Sequence, residues 1–171
     1  YGFEHFFMGK TLMTGTKELI EHWQITLGRY YDTAIKYIGF AMLLFGLYRA
    51  FKLKEKVYLY IAGLGFLGFL PIMLKGGFNF YHHSYYMVPF VPVMALVSGY
   101  GISQLPGKLT GTIVLFAIGI EGFFNHLDDF RIKDHMRPIL TLETLFDNHA
   151  NKKDLILINS GEFPTPMYFA H

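Results

Sequence analysis

Residues 78–101 read FNFYHHSYYMVPFVPVMALVSGYG and join a polar aromatic cluster directly to an apolar run. Between Lys75 and Lys108 the chain carries no Lys, Arg, Asp or Glu, so the apolar part can cross a bilayer while the aromatic part stays at its surface. Pro89 and Pro92 lack an N–H, and lipid tolerates the carbonyl groups this leaves unpaired only beside protein or a polar cavity. The stretch therefore predicts either the wall of a polar cavity at the membrane surface or an aromatic belt followed by a proline kink.

The composition of the 171-residue chain is that of a membrane protein. Apolar residues make up 52% and charged residues 16%, against about 25% charged residues in soluble domains. The formal net charge is only +2 and the basic residues are scattered, which argues against a nucleic-acid partner. The chain has no cysteine, so disulfides, thiolate nucleophiles and Cys-type zinc sites are excluded.

Residues 1–30 mix charged and apolar side chains and predict an amphipathic segment on the membrane surface. Gly9 and Gly15 are turn signals within it. One helix face is predicted from five residues near the i, i+3, i+4, i+7 spacing: Thr16, Leu19, Ile20, Trp23 and Leu27.

Residues 31–127 form the predicted membrane region. Its four spans are expected at residues 34–51, 57–74, 85–105 and 109–127. The second span contains Gly63-Leu-Gly65-Phe-Leu-Gly68, a literal G-x-G-x-x-G. These glycines lie inside an apolar run and no acidic residue follows at about 20 positions, so we interpret them as helix-packing residues and not as a dinucleotide site.

Residues 128–171 have the composition of a soluble domain. Helical spacing is present in residues 132–149, and residues 154–159 read as a short buried strand. The predicted fold class is an all-α membrane protein, with about four transmembrane helices of a larger bundle, followed by the start of a small soluble α/β domain that is truncated. We therefore expect the chain to be a C-terminal piece of a longer protein.

The basic residues predict an orientation. Four of them, Arg49, Lys52, Lys54 and Lys56, follow the first predicted span, and Lys108 follows the third. The positive-inside rule places these turns in the cytoplasm. Three parts of the chain are then outside. They are residues 1–30, the polar aromatic cluster at residues 78–86, which we call the His-Tyr stretch, and residues 128–171. The reversed topology stays open, because basic residues also flank the spans on the predicted outer side.

The stretch from His83 to Leu96 resembles a motif of the polyprenyl-phosphate-sugar-dependent glycosyltransferases, the superfamily of protein O-mannosyltransferases and lipid A aminoarabinose transferase. Their bacterial members open a late membrane helix with a stretch of the type H-x-Y-Y-x-x-P-x-x-P-x-x-A-L, which residues 83–96 match position for position. A C-terminal pattern of the type P-x-x-Y-x-A-x-R in these proteins is similar to residues 164–171. The resemblance implies a protein of the bacterial inner membrane with its loops and C-terminal domain outside.

The resemblance also implies partners and a mechanism. A polyprenyl-phosphate sugar would donate to a glycan, lipid or protein acceptor, and the departing phosphate would need cations or hydrogen-bond donors. It assigns phosphate binding to Tyr85 and Tyr86, with His83 and Lys10 beside them and His82 in support. In the family the catalytic base lies in a first outer loop that this chain does not contain, so no catalytic residue is assigned.

Metal binding and the membrane carboxylate each have more than one interpretation. Glu4 and His5 ahead of Lys10 are similar to a metal- and phosphate-binding pair of the family, or are an ordinary solvated face. A divalent metal is thus compatible with the chain, and no cofactor is required by it. A carboxylate at the bilayer centre costs about 2.5 to 3.5 kcal/mol. Glu121 in the fourth span therefore packs between helices, snorkels to the interface or supports the site.

Two other function classes fit the same residues. In a transporter segment, Glu121 and the proline-interrupted helix would line a permeation path. In a non-catalytic membrane assembly subunit, the glycines would serve packing and the aromatic residues would form a belt.

Overall fold

The structure, a computed structural model, describes residues 10–127, residue 137 and residues 141–149. These residues are helical and contain no strand. In chain order the helices are α1 (Leu12–Glu21), α2 (Trp23–Gly28), α3 (Lys36–Leu53), α4 (Lys56–Gly76), α5 (Phe78–His82), α6 (Val91–Ser103), α7 (Lys108–His126) and α8 (Leu142–His149). A π-helical turn (Arg29–Ala34) precedes α3, and a 3₁₀ turn (Ser84–Met87) precedes α6. The chain divides into two compact units between Phe123 and Phe124.

Two helices are long and apolar enough to cross a membrane. They are α4, of 21 residues, and α7, of 19 residues. Helix α4 buries only Phe69 and Gly76, and α7 buries none of its residues in the structure. Helices that are apolar on all sides and exposed suit a lipid environment or burial against further helices. Helices of spanning length and composition thus lie over the second and fourth predicted spans, at residues 56–76 and 108–126.

The first predicted span is only the second part of a bent unit. Residues 23–34 and α3 meet at an angle of 98° around Ile35, and only together do they satisfy the length and composition of a span. The bend is local, since Lys36 has φ 57, a left-handed conformation that interrupts a right-handed helix. The count of candidate spans in the described residues is therefore two, or three if this bent unit is one span.

The third predicted span was placed too early in the chain. Residues 84–87 form a 3₁₀ turn and α6 begins only at Val91. Pro92 lies in the first turn of α6, where a missing N–H costs no hydrogen bond. The two prolines therefore precede and start a helix, so the predicted proline kink inside a span is wrong. With 13 residues, α6 extends about 20 Å, short of the roughly 30 Å hydrocarbon core.

The proline that does lie inside a long helix is Pro71 of α4. It has no N–H to donate to the carbonyl of Leu67.

Helices α3 and α6 cross at glycines. A Cβ on Gly101 would lie 3.0 Å from the Gly46 nitrogen and would overlap the Met42 carbonyl oxygen, and a Cβ on Gly46 would overlap the carbonyl oxygen of Val97. Ser98 Oγ lies 3.1 Å from the Gly39 carbonyl oxygen of α3 and 2.8 Å from a carbonyl oxygen of its own helix. The two backbones are thus in direct contact, which only small residues permit.

A second close approach joins α1 to α4. Gly15 lies inside α1 and is buried, so the predicted turn at this position is wrong. A Cβ on Gly15 would overlap the carbonyl oxygen of Leu74 in α4. Gly77, at φ +47, then turns the chain from α4 into α5 beside Gly15, a conformation that glycine adopts without steric cost.

Aromatic side chains fill the space between these helices. Phe69 of α4 stacks on Phe90 with 4.9 Å between ring centroids, and Phe80 of α5 meets Phe69 edge-on at 5.8 Å. Tyr30 of the π-helical turn approaches Phe90 edge-on at 6.3 Å. Met87 and Met94 are fully buried against this cluster. The core therefore includes the His-Tyr stretch and not only the apolar run that follows it.

The predicted amphipathic face divides between core and surface. Leu19 is buried in the core, whereas Ile20, Trp23 and Leu27 are exposed. The predicted packing role of the G-x-G-x-x-G glycines holds for Gly65 alone, where a Cβ would lie 2.7 Å from a methyl group of Val93 in α6. Helix α8 matches the end of the helix predicted at residues 132–149. The predicted strand at residues 154–159 and most of the predicted soluble domain lie outside the described residues.

Candidate functional site

The His-Tyr stretch begins with a short helix whose first turn is held by a carboxylate from α1. Glu18 Oε2 accepts a hydrogen bond from the backbone N–H of Phe78 at 2.6 Å. The same carboxylate accepts from Lys10 Nζ at 2.5 and 2.6 Å, and this ammonium lies 5.7 Å from the centre of the Phe78 ring. A carboxylate at the first N–H groups of a helix satisfies donors that lack a helical partner. Lys10 and Glu18 therefore fix the start of α5.

The end of α5 is held by a guanidinium group from the π-helical turn. Arg29 donates to the Tyr81 carbonyl oxygen from Nε at 3.0 Å and from Nη2 at 2.5 Å, and Nη2 also donates to the His82 carbonyl oxygen at 3.2 Å. These carbonyl groups are among the last of α5 and have no helical donor. Nη1 of Arg29 donates to Thr33 Oγ1 at 3.3 Å, which fixes the orientation of the guanidinium group. The two ends of α5 are thus held by opposite charges from two other segments.

A row of stacked rings follows the helix. His83 stacks on Tyr85 with 5.2 Å between ring centroids, and Tyr85 stacks on Tyr86 at 4.9 Å. His82 meets His83 edge-on at 5.1 Å and stacks on Phe78 at 4.9 Å. We call this row of five residues the aromatic rim: Phe78, His82, His83, Tyr85 and Tyr86. Its polar atoms are therefore gathered on one short segment ahead of α6.

Buried neighbours hold the aromatic rim at the surface. Phe80 is 0% exposed and Met87 is 1% exposed, whereas Tyr85 is 60% exposed. Tyr81 is also buried, and its ring stacks on His22 of the α1–α2 junction at 4.5 Å. Because core residues alternate with exposed ones, the rim is fixed to the core and still presents a phenol to its surroundings.

The Tyr86 phenol of the rim is neutral at physiological pH. Burial raises the pKa of Tyr86, and the charge and hydrogen bond of Tyr85 raise it further. Burial likewise raises the pKa of Tyr81, with smaller contributions from Glu18 and Glu21. A neutral phenol donates a hydrogen bond to an anionic oxygen, while a phenolate cannot. The arrangement can therefore bind an anion through O–H groups.

The structure brings together most of the residues predicted to bind phosphate. His83, Tyr85 and Tyr86 form one stacked row with His82 at its end. Lys10 lies at the opposite end of the rim beside Phe78, where the Glu18 carboxylate neutralises its charge. The interpretation of the stretch as a span that continues from Tyr85 is wrong, since residues 84–87 form a 3₁₀ turn and α6 begins only at Val91.

Glu121 has a structural role in α3. Its Oε1 accepts from the Tyr37 N–H at 3.2 Å and its Oε2 accepts from the Ile38 N–H at 3.0 Å. Tyr37 and Ile38 lie in the first turn of α3, which has no side-chain cap of its own. A carboxylate from α7 thus supplies the cap. These contacts place Glu121 between α7 and α3, and its predicted supporting role at the site stays a prediction.

The structure does not describe the predicted metal residues. Glu4 and His5 lie outside the described residues, so this prediction stays a prediction. Among the residues that are described, no group of three or more His, Asp or Glu side chains is placed to hold a metal ion.

Sequence reasoning missed Arg29 and Glu18 as parts of the site. Arg29 lies 52 positions before the carbonyl group that it binds, and Glu18 lies 60 positions before Phe78. Both were read as ordinary charges of a surface segment. The only available signal was that α5 is too short to satisfy its own terminal groups, which predicts partners without identifying them.

Comparison of the chain with known protein families, curated proteins and solved structures finds no match. The resemblance to polyprenyl-phosphate-sugar transferases therefore depends on the patterns of residues 83–96 and 164–171. In the structure, residues 83–96 cover the end of the aromatic rim, the proline turn and the first turns of α6. The first pattern is thus one structural unit, in which two prolines place a polar aromatic row directly before an apolar helix.

Proposed function

We propose that this chain is part of an integral membrane glycosyltransferase that moves a sugar from a polyprenyl-phosphate donor to an acceptor. The observation that carries the proposal is the aromatic rim, in which the exposed Tyr85 stacks between His83 and Tyr86 directly ahead of an apolar helix. Such a row offers several hydrogen-bond donors to an anion at the point where the chain turns apolar. A lipid phosphate has the matching arrangement, an anionic group followed by an apolar chain.

Tyr85 and Tyr86 serve the leaving-group side of the reaction. When the sugar departs, negative charge develops on the phosphate, and preorganised O–H donors stabilise that charge. The pKa of Tyr86 is raised by burial, so its proton stays available for the hydrogen bond. His83 adds an imidazole beside Tyr85. We assign no general base among the described residues, and Glu121 is already bonded to α3.

Arg29 and Glu18 are positioning residues in this proposal. Arg29 holds the carbonyl end of α5 and Glu18 holds its N–H end, so the segment that carries His83 and Tyr85 has a fixed start. Lys10 Nζ lies 2.5 Å from the Glu18 carboxylate and contributes to the same contact between α1 and α5. Its proposed part in phosphate binding would require it to leave that ion pair.

The polyprenyl chain would lie beside the rim. Val88 is 63% exposed and follows the phenols by two residues, and Leu96 on α6 is 57% exposed. Apolar surface next to a phosphate-binding segment suits an isoprenoid attached to that phosphate.

The proposal includes a location and an orientation. The chain would lie in a bacterial inner membrane as part of a larger bundle, with the rim, the N-terminal segment and a small soluble C-terminal domain outside the cytoplasm. The candidate spans α4 and α7 support a membrane location, and the basic turns at residues 49–56 and 108 support the orientation. The acceptor would be a glycan, a lipid or a protein that approaches from outside.

Donor binding tests the proposal. The purified chain would be placed in phosphatidylcholine nanodiscs and titrated with a polyprenyl phosphate and with the matching polyprenol, which lacks the phosphate. We expect the phosphate form to bind more tightly, and Tyr85→Phe and Tyr86→Phe each to weaken it by about tenfold through loss of one charge-assisted hydrogen bond. Polyprenol binding should not change in either variant.

Tyr60→Phe is the matched control, because Tyr60 is 63% exposed on α4 and lies outside the rim. Equal binding of the phosphate and the alcohol, or equal losses in Tyr60→Phe and the rim variants, would show that the rim is an aromatic belt and not a phosphate site.

A further inference from the structure

The end of the molecule opposite the aromatic rim gathers basic residues and two helix starts. There α3 and α6 end, and α4 and α7 begin. Arg49 Nη2 lies 3.5 Å from Gln104 Oε1, and Tyr58 of α4 stacks on Tyr100 of α6 with 3.9 Å between ring centroids, so the helix ends are adjacent. We call this region the basic end, and its charged residues are Arg49, Lys52, Lys54, Glu55, Lys56 and Lys108. The basic end thus carries five cations and one carboxylate.

Two buried polar atoms at the basic end have no partner in the described part of the chain. They are Arg49 Nε and the Tyr100 hydroxyl, and Tyr100 is only 8% exposed. The contact between Gly46 and Gly101 places the last turns of α3 beside the turn that carries Tyr100. Buried donors are nearly always bonded, because an unpaired one loses its water without replacement. Two such donors beside a set of cations indicate an acceptor that the described residues do not supply.

A depression lies close to Gln104, the partner of Arg49. Its volume is 430 Å³, and it lies between the end of α6 and the start of α7. Ser103 and Lys108 line it at the turn, and Ile102 and Leu115 line it along the helices. Gln104 connects the two regions, since its Nε2 donates to Ser103 Oγ at 3.4 Å while its Oε1 accepts from Arg49. The space therefore passes from a polar, positively charged turn to an apolar wall.

We propose that the basic end binds the phosphate of an anionic phospholipid, with Arg49 and Tyr100 as its hydrogen-bond donors. The apolar surfaces beside it favour a lipid over a free anion. On α4 and α7, exposed side chains begin within one turn of the basic residues and continue along each helix: Val57, Tyr60, Leu64, Leu109, Ile113 and Phe116. Acyl chains can lie along these surfaces while the headgroup meets the cations. The site is separate from the aromatic rim and goes beyond the proposed sugar transfer.

Lipid titration of the purified chain in phosphatidylcholine nanodiscs tests the site. We expect phosphatidylglycerol to bind about tenfold more tightly than added phosphatidylcholine with the same acyl chains. Tyr100→Phe keeps the ring and its stacking on Tyr58, so the variant should fold normally. It should weaken the binding of phosphatidylglycerol by about fivefold and leave the binding of phosphatidylcholine unchanged. Arg49→Gln should weaken phosphatidylglycerol binding at least as much.

Two controls separate a site from general attraction. Lys52→Gln removes an exposed charge of the basic end, and Lys75→Gln removes a charge at the other end of α4, and both should change binding less than Tyr100→Phe does. Equal binding of the two lipids would overturn the proposal, as would a loss in Lys52→Gln that matches the loss in Tyr100→Phe. Displacement of phosphatidylglycerol by inorganic phosphate at millimolar concentration would overturn the lipid assignment and indicate that the ligand is a soluble anion.

Discussion

The α3–α6 crossing and the aromatic rim are held together by different means. At the crossing, Gly46 and Gly101 bring two backbones into contact, and a single atom added to either glycine would meet the other helix. At the rim, the ends of α5 are held by the side chains of Glu18 and Arg29, which reach across from other segments. The crossing has no room for side chains at its closest point, whereas the rim is held by side-chain contacts.

The difference separates the parts of the molecule that fix its shape from the part that can bind. Backbone contact through glycine leaves little room for change. The rim instead holds O–H and imidazole groups at the surface on a segment whose own backbone groups are satisfied by charges. Substitutions at the crossing should therefore act on stability, and those at the rim on binding or local order.

The largest effect is expected from Gly101→Ala. The new methyl group would overlap the Met42 carbonyl oxygen and lie 3.0 Å from the Gly46 nitrogen, so α3 and α6 must separate. Overpacking of this kind costs about 1 to 3 kcal/mol. The melting temperature of the purified protein in detergent should fall accordingly.

Gly99→Ala is the matched control on the same helix. Gly99 is exposed and no heavy atom lies within 4 Å of a Cβ at this position, so the substitution should leave the protein unchanged or stabilise it by up to about 1 kcal/mol through helix propensity. Equal melting temperatures for the two alanine variants would contradict the close crossing.

A smaller and more local effect is expected from Arg29→Gln. It removes the donors to the Tyr81 and His82 carbonyl oxygens, and a charge-assisted bond contributes about 1.5 kcal/mol or more when it is shielded from water. Because Arg29 is part-exposed, we expect about 1 kcal/mol and a response confined to the rim. Hydrogen exchange of the amides at residues 83–87 should accelerate about five- to tenfold.

Lys17→Gln provides the comparison for Arg29. Lys17 pairs with Glu21 at 3.9 Å, and its side chain is 77% exposed, so its loss should leave exchange at residues 83–87 unchanged. Acceleration spread evenly over α3 and α6 in Arg29→Gln would show that the arginine supports the whole fold and not the rim.

Glu121→Ala should cost about 1 kcal/mol, since it removes a cap from the first turn of α3. The carboxylate accepts from two N–H groups, at 3.2 and 3.0 Å. Glu121→Gln keeps one acceptor oxygen and should recover part of the loss in melting temperature. A stabilised Glu121→Ala variant would contradict the assignment of Glu121 as a cap of α3.

The smallest effect is expected from protonation of Glu18 at low pH, which weakens the contact between α1 and α5. Partial burial acts to raise the pKa of Glu18, but the hydrogen bonds from Lys10 and Phe78 and the charges of Lys10 and His22 lower the pKa below 4.5. The carboxylate therefore contributes stability that is complete above pH 4.5 and is lost as the pH falls through its lowered pKa. Unfolding measured between about pH 6 and pH 3 should show this loss, and Glu18→Gln should show a shallower pH dependence over the same range.

The sequence was sufficient to predict the long helices and the grouping of the rim residues. Residues 57–74 and 109–127 have uncharged or nearly uncharged runs of spanning length, and α4 and α7 extend over them. His83, Tyr85 and Tyr86 are close in the chain, so any local fold keeps them near one another. These are properties of composition and short-range spacing.

What depends on distant partners could not be predicted. The bend at Ile35 and the late start of α6 follow from local backbone conformations, but Arg29 and Glu18 act across 52 and 60 positions. Glycine patterns were also ambiguous. Gly63 and Gly68 stood out in a motif and pack against nothing within 4 Å, whereas Gly46 and Gly101, in no motif, form a direct backbone contact between α3 and α6. Which glycine is needed depends on which helix lies opposite, and spacing alone does not give that.

The most direct test of the proposed function is sugar transfer by the protein in its native membrane, with Tyr85→Phe, Tyr86→Phe and Tyr60→Phe compared. Each rim substitution deletes one hydroxyl and keeps the ring and its stacking at 4.9 Å. The loss of a charge-assisted hydrogen bond to the leaving phosphate should lower transfer from a polyprenyl-phosphate sugar by about ten- to a hundredfold. Melting temperatures and the Tyr60→Phe rate should not change. Unchanged transfer in both rim variants would contradict the assignment of the rim as a phosphate site.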